Sequence, residues 1–248
     1  MGTIDELLER KSVRKFEATP VPDGVLATLL DCAFAAPTAG NQMLYTILDI
    51  EDAPTKAALA VLCDHQTFIA AAPVVLVFLA DCRRWYDAYR LAGADPRDPG
   101  PGDLVLATQD AMVAAQNVVV AAHALGLGAC YIGDILENCE SVRELLDLDE
   151  WVFPATVLIL GYPTAQQLAR HKPTRFARRY VVQKDRYHRL SDDELRDMFV
   201  ERDGEFDRYV RAFCGRKYES DFAVEMSRSV GEYLKAYGGE ATQVHGAS

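Results

Sequence analysis

Asp103-Leu-Val-Leu-Ala-Thr-Gln-Asp-Ala-Met-Val-Ala-Ala-Gln-Asn-Val-Val-Val-Ala-Ala-His-Ala-Leu-Gly-Leu-Gly-Ala-Cys-Tyr-Ile-Gly-Asp134 is the stretch whose reading decides the fold. Residues 103–125 read as one long helix. Apolar side chains crowd nearly every face, and only Gln109, Asp110, Gln116, Asn117 and His123 interrupt them. A helix apolar most of the way round is buried on most sides. Asp110, Gln116 and Asn117 lie mid-length and would need partners in lipid, so a core helix is expected rather than a membrane span. Gly126 ends it as a residue free to take positive φ. Residues 127–132 follow as a short strand, closed by Gly133-Asp134. A glycine turn at a strand end is where a backbone approaches a ligand closely.

Outward from this stretch, the chain alternates helical and extended patterns. Residues 3–10 read as a short helix with Thr3 and Glu6 as a capping box. A helix is expected over 22–36, a strand over 44–50, a helix over 53–62 and a short helix over 64–71. The continuous apolar run 73–80 has the pattern of a strand buried on both faces. A helix follows over 83–91. The interval 92–102 holds three prolines and three glycines and reads as a surface loop, either a flap beside a site or an inert connector. Short helices are expected over 134–148, with a capping box at Ser141–Glu144. A third apolar strand spans 153–160, and residues 180–182 fit an edge strand. Beyond Asp192 the pattern is helical, over 192–213 and 220–237. The second of these helices has no local core to join and is expected to pack on a partner subunit. The domain reading is a core over 1–190, a helical extension of it over 191–237 and a disordered tail over 238–248.

The chain has 248 residues and a formal charge of −11, which argues against non-specific nucleic-acid binding or an anionic membrane surface. Residues 1–10 are charged and lack an apolar run, so no signal peptide is expected. The apolar runs fall short of a transmembrane helix, which needs roughly 20 residues. Six cysteines, none spaced C-x-x-C and most inside apolar segments, read as reduced buried thiols of a cytoplasmic protein. No zinc-ligand spacing is present.

Two cationic clusters stand out against the acidic background. In the first, Arg10-Lys11-Ser12-Val13-Arg14-Lys15, alternation of an extended segment turns Arg10, Ser12 and Arg14 to one side. Two guanidiniums flanking a hydroxyl make a phosphate cradle, with a solvated basic turn as the plain alternative. The second runs from Arg170 through Lys172 and Arg175 to Arg179. Two such clusters in an acidic chain suggest one anionic ligand held by both. The small-residue loop Pro37–Gln42 leaves room for a ligand plane. No nucleophile elbow, dinucleotide glycine fingerprint or NTPase phosphate loop occurs; Gly126-Leu127-Gly128 follows a helix rather than a strand. With no evident protein acid, base or nucleophile, the pattern fits an enzyme whose cofactor carries the chemistry.

In Arg10–Phe16, Ala36–Gln42, Gly126–Asp134, Leu160–Pro163 and Lys172–Arg175, taken in order over residues 6–187, the chain resembles the FMN-dependent nitroreductases and flavin reductases, in their larger, oxygen-insensitive branch. The resemblance implies an α+β fold, a nitroreductase-like mixed sheet flanked by helices, in an intertwined homodimer with FMN in a cleft between subunits. It implies that Arg10, Lys11, Ser12 and Arg14 hold the phosphate and ribityl end, with Lys172 and Arg175 adding charge. Thr38, Asn41 and Gln66 would line the flavin edge. Tyr131, Ile132, Gly133 and Asp134 would lie along one ring face. The activity implied is ping-pong hydride transfer from NAD(P)H to a small-molecule electron acceptor: a nitroaromatic, a quinone or a free flavin. No protein residue need act as general acid. Reductive dehalogenation, flavin destruction and a non-catalytic flavin-binding dimer are the other readings.

Overall fold

A computed structural model describes residues 2–200 and 205–238. The chain divides into two compact units. Residues up to Arg170, with those from Glu225 onward, form the first; His171–Val224 form the second.

The first unit is built on a four-stranded sheet: β1 (Tyr45–Asp49), β2 (Val74–Asp81), β3 (Gly128–Ile132) and β4 (Val152–Gly161), in the order β1-β2-β4-β3. The four strands are antiparallel throughout. Among the described residues, parallel pairing enters only at the isolated bridge from Ser12 to Ala129, so the mixed character expected of the sheet resides there. Every residue of β2 is buried, because both faces of this central strand are covered. One face carries α2 (Asp23–Phe34) and α5 (Pro101–Ala124). The other carries α3 (Ala53–Leu62) and α6 (Cys139–Leu146). Alternation does the sorting: Leu76 and Phe78 join the first layer, Val75 and Val77 the second. Ala111, Ala114, Ala115 and Ala122 of α5 are all fully buried, and their small size lets α2 and the sheet come close. With 24 residues, α5 is long and apolar enough to cross a bilayer. It instead fills the space between α2 and the sheet.

Several local expectations shift. Helix α1 (Thr3–Glu9) is capped by Gly2, whose N–H donates to Asp5 Oδ2, not by Thr3. Residues 64–71 form turns rather than a helix, with Asp64 and His65 left-handed. Pro101 and Gly102 belong to α5, since proline is tolerated in a first helical turn. Ser141 lies inside α6, which starts at Cys139 after the left-handed Asn138. Residues 178–180 make a 3-10 turn in place of an edge strand. The long helix expected over 192–213 is two, α8 (Asp192–Met198) and α9 (Phe206–Lys217), with residues 201–204 outside the described set. The tail expected to be disordered lies, from residue 239, outside it too.

The last helix, α10 (Asp221–Lys235), does have a core to join. Tyr233 and Tyr237 are 0% and 1% exposed, packed with Trp151 and Phe153. The indole N–H of Trp151 donates to Ala236 O at 2.9 Å. Arg228 forks onto Glu140 at 2.8–2.9 Å. The sequence reading missed this because the aromatic partners lie some 80 residues away in the chain. In the second unit Phe199 meets Phe176, Phe206 and Tyr209, and Arg179 pairs with Asp197.

A strap over residues 12–17 lies along β3 and reaches the end of β4. Val13 N–H donates to Ala129 O at 3.0 Å, and Glu17 N–H to Tyr162 O at 2.8 Å. Val13 is buried against Gly128 so closely that a Cβ there would stand 2.6 Å from it. Gly128→Ala should therefore lift the strap and cost about 1–3 kcal/mol of stability, the usual range for overpacking. Chemical denaturation of G128A and of the double variant V13A/G128A checks this. Recovery in the double variant is expected, and equal losses in both would mean the strap does not rest on that glycine.

Candidate functional site

The strap sorts the first cationic cluster. Val13 faces the core, and the alternate residues gather around the buried Cys130. Burial pushes that thiol up, while Arg14, a hydrogen bond from Ser12 and Arg10 pull it down. These three groups thus share one neighbourhood, as alternation required. Lys11 goes elsewhere. Its ammonium donates to Leu168 O at 2.6 Å and to Arg170 O at 2.5 Å, at the end of the short helix α7 (Ala165–Ala169). The buried Gln167 completes this anchor, its Oε1 accepting from Arg14 N–H at 3.2 Å and from Arg170 Nη1 at 3.1 Å. Arg10 Nε is buried without a hydrogen-bond partner. Among the described residues no carboxylate pairs with Arg10, Lys11 or Arg14, although acids outnumber bases 37 to 26 in the chain.

Two turns border this patch. Arg14 lies 5.9 Å over the ring of Phe68, in the turn that carries the half-buried Gln66. The second turn closes β3. There Tyr131 donates its hydroxyl to Gln116 Oε1 at 3.2 Å, and burial pushes the phenol up to about 12. Ile132 is buried in the core on the α3 side and paired with Val157 of β4. Gly133 has φ −82, which any residue adopts. No atom lies within 4 Å of where its Cβ would be. Neither conformation nor packing within the chain therefore requires glycine, and the space above it is free for a ligand.

Asp134 follows, half-buried. Behind it sits Glu137, only 5% exposed, with Oε1 unpartnered. Burial, then Asp134, Asp64 and Glu225, push its carboxyl up to about 7. The fields of Asp64 and Asp134 on one carboxyl show that the 64–68 turn and the 133–137 turn adjoin. Arg10, Ser12, Arg14, Gln66, Gly133 and Asp134 thus lie around one region of the first unit.

Thr38 and Asn41 stand on a separate loop, and the residue that shapes it is Asp110 of α5. Only 6% exposed, its carboxylate accepts from the Thr38 hydroxyl, from Ala39 N–H at 3.0 Å and from Leu44 N–H at 3.2 Å. Thr38 Oγ1 in turn accepts from Met43 N–H at 2.8 Å. Gly40, Asn41 and Met43 all have positive φ, a conformation non-glycine residues hold only where their surroundings enforce it. Lys172 and Arg175 belong to the second unit. There Arg175 lines a cavity of about 100 Å³ with Phe176, Tyr180 and Met198. The sequence signal for Asp110 was its position as the one acid in the middle of an apolar helix. Gln167 and Glu137 gave none.

Two outcomes follow for these acids. Asp110→Ala strands two buried N–H groups and a hydroxyl, and should cost about 3 kcal/mol in urea unfolding; an unchanged midpoint would show that Asp110 does not hold the loop. Glu137 binds its proton more tightly folded than unfolded. Its stabilising contribution is present below about 4.5, the ordinary value, and is lost as pH rises through about 7. Glu137→Gln, neutral at every pH, should melt ~3 °C higher than the parent at pH 8 and lose that advantage at pH 4.5. Parallel melting curves across this range would disprove the assignment.

The sequence model of the Nitroreductase family matches residues 7–60 and 45–162. The FMN reductase (NADPH) of Bacillus subtilis (strain 168) is 27% identical over 243 residues, covering 95% of this chain and 94% of that protein. The structure of B. megaterium NfrA2 matches with a TM-score of 0.82 and 28% identity, over 96% of this chain and 98% of its own. The NADPH:FMN oxidoreductase from Vibrio harveyi complexed with NAD+ matches with a TM-score of 0.75 and 25% identity, over 95% and 97%. The α+β architecture is that of these nitroreductase-fold structures. Since the family match spans more than half of the sequence, the chain belongs to the nitroreductase family.

Proposed function

We propose that this chain is an FMN-dependent NAD(P)H oxidoreductase that passes reducing equivalents to a small-molecule electron acceptor, a nitroaromatic, a quinone or a flavin. The names and cofactors of its relatives support the reaction class. The observation that carries the reading to this chain's own residues is the pairing of unneutralised guanidiniums with the open backbone at Gly133.

The residues fit FMN. A phosphate near −2 needs fixed cations and neutral donors together. Arg10, Ser12 and Arg14 offer them, with the orphaned Nε of Arg10 among the donors. Lys11 keeps the strap in place through its two carbonyl contacts. The backbone over Tyr131–Asp134 would lie against the flavin ring, with Gly133 giving it clearance. Thr38, Asn41 and Gln66 would meet its edge. FMN, when bound, supplies the two-electron chemistry between nicotinamide and acceptor. The protein's share is to orient the ring and leave one face accessible to donor and acceptor in turn.

A homodimer fits the exposed apolar surface of α1 and α5. Ile4 and Leu7 of α1 and Val105 and Val113 of α5 are all exposed, and a second copy would cover them. The six free cysteines support a cytoplasmic setting.

The purified protein should be yellow, and its flavin absorbance should bleach anaerobically with NADH or NADPH. Arg14→Ala should weaken FMN retention by about 10–100-fold, the loss of a charged hydrogen bond or two. Gly133→Ala should weaken FMN retention while melting like the parent apoprotein, since beyond its chain neighbours no atom lies within 4 Å of the added Cβ. A colourless protein that takes up no added FMN would end this reading, as would full FMN affinity in both variants.

A further inference from the structure

The aromatic face of α4 (Arg83–Leu91) is only partly covered: Trp85 and Tyr86 pack against the core around Trp151 and Phe153, while Tyr89 stays exposed. None of its residues is buried, yet Trp85, Tyr86 and Tyr89 all turn toward one cavity of about 350 Å³. Trp85 and Tyr89, one turn apart, lie with ring centroids 5.5 Å from each other and tilted by 41°. Leu44 and Leu106 also line the cavity, and Pro96 and Pro99 add wall from the 92–102 loop. This volume lies at the small end of the range for ligand pockets.

The two charged side chains that line the cavity neutralise each other. Arg97 forks onto Asp103 at 2.6 and 3.0 Å. Tyr86 donates its hydroxyl to Asp98 Oδ1 at 3.1 Å. The indole N–H of Trp85 donates to Gln42 O at 2.7 Å, and Gln42 Nε2 donates to the Tyr89 hydroxyl at 3.4 Å. Two of these contacts pin the middle of the 92–102 loop, through Arg97 to α5 and through Asp98 to α4. A charged guest would lose hydration and meet no free counter-charge, which disfavours it. A flat uncharged ring system would gain stacking on Trp85 and Tyr89 at no such cost.

We infer that the cavity between α4 and the 92–102 loop is a binding site for a neutral, planar aromatic molecule of about two fused rings. The site is separate from the strap and from Gly133, and it does not depend on the flavin reading.

Titration calorimetry on the full chain tests this with 2-naphthol as the neutral probe and 2-naphthoate as its charged counterpart, at pH 7. One saturable site for 2-naphthol is expected, with 2-naphthoate at least ~10-fold weaker, the discrimination a single unpaired charge imposes. Leu106→Trp, which fills the cavity, and Tyr89→Ala, which removes one ring from a half-exposed position, should each weaken 2-naphthol by ~10-fold or more. The Arg14→Ala chain should bind it as the parent does. No saturable heat would overturn the inference. So would equal affinity for both probes, unchanged affinity in both cavity variants, or loss of binding in Arg14→Ala.

Discussion

The buried carboxylate of Asp110 is the constraint on which much of the fold depends. A charge at this depth is tolerated only when donors surround it. Its donors come from Thr38, Ala39 and Leu44, all on the segment that leads into β1. The requirement is mutual. The loop needs an acceptor for N–H groups that its left-handed residues turn inward, and α5 needs those N–H groups to carry an acid in its apolar interior. One interaction therefore fixes the rotation of α5 about its axis, the path of the 37–44 loop and the entry of β1. Leu44 and Gln42, held by that path, then become a wall of the cavity beside α4. The strap depends on a different device, the absence of side chains at Gly128 and Gly161, where a Cβ would run into Val13, Pro73 and Phe16.

What was legible in the sequence follows from range. The buried helix and the strands β2 and β4 carry their own patterns, because apolar crowding on every side means burial whatever the neighbours are. Alternation within six residues turns Arg10, Ser12 and Arg14 to one side, and all three act on Cys130. The misassigned pieces were those whose conformation is decided by distant partners. The turns at 64–71 have helix-compatible composition, but Asp64 and His65 take positive φ. Helix α10 seemed to lack a core because Trp151 and Phe153, which receive Tyr233 and Tyr237, are remote in sequence. Ser141 had the right neighbours for a cap and lost the role to Asn138, which bonds to Leu62 O and Glu225.

The candidate site shows the same division. Its cations were legible as residue types, but their separate tasks were not. Lys11 and Arg14 sit three residues apart in one basic run. One is consumed by two carbonyls of α7's end, the other stays without an acid. Only the strand bridge at Ser12, which fixes the phase of the alternation, tells them apart. Glycines divide likewise. Gly128 serves packing and Gly126 a left-handed helix end. Gly133, in the same short motif, serves neither, and the unfilled space above it is what a sequence cannot display.

The distribution of charge around β3 gives an oriented field. On the strap side stand Arg10 and Arg14 with no acid paired to them. Beyond Gly133 stand Asp134, Glu137, Asp64 and Glu225; burial first, and then the three neighbouring acids, push the carboxyl of Glu137 up to about 7. A ligand with a strongly anionic end and a neutral ring has one favourable way to lie between these poles. Its phosphate is attracted to the strap and repelled from the 134–137 turn, and at separations of a few ångströms in a partly buried setting such terms amount to about 1–4 kcal/mol each. The ring is then left over the one residue in the turn that presents no side chain. An acidic cluster so placed would favour that orientation of such a ligand without touching its phosphate. A chain of net charge −11 would repel an anion at long range; the two guanidiniums left without an acid beside β3 oppose that repulsion locally.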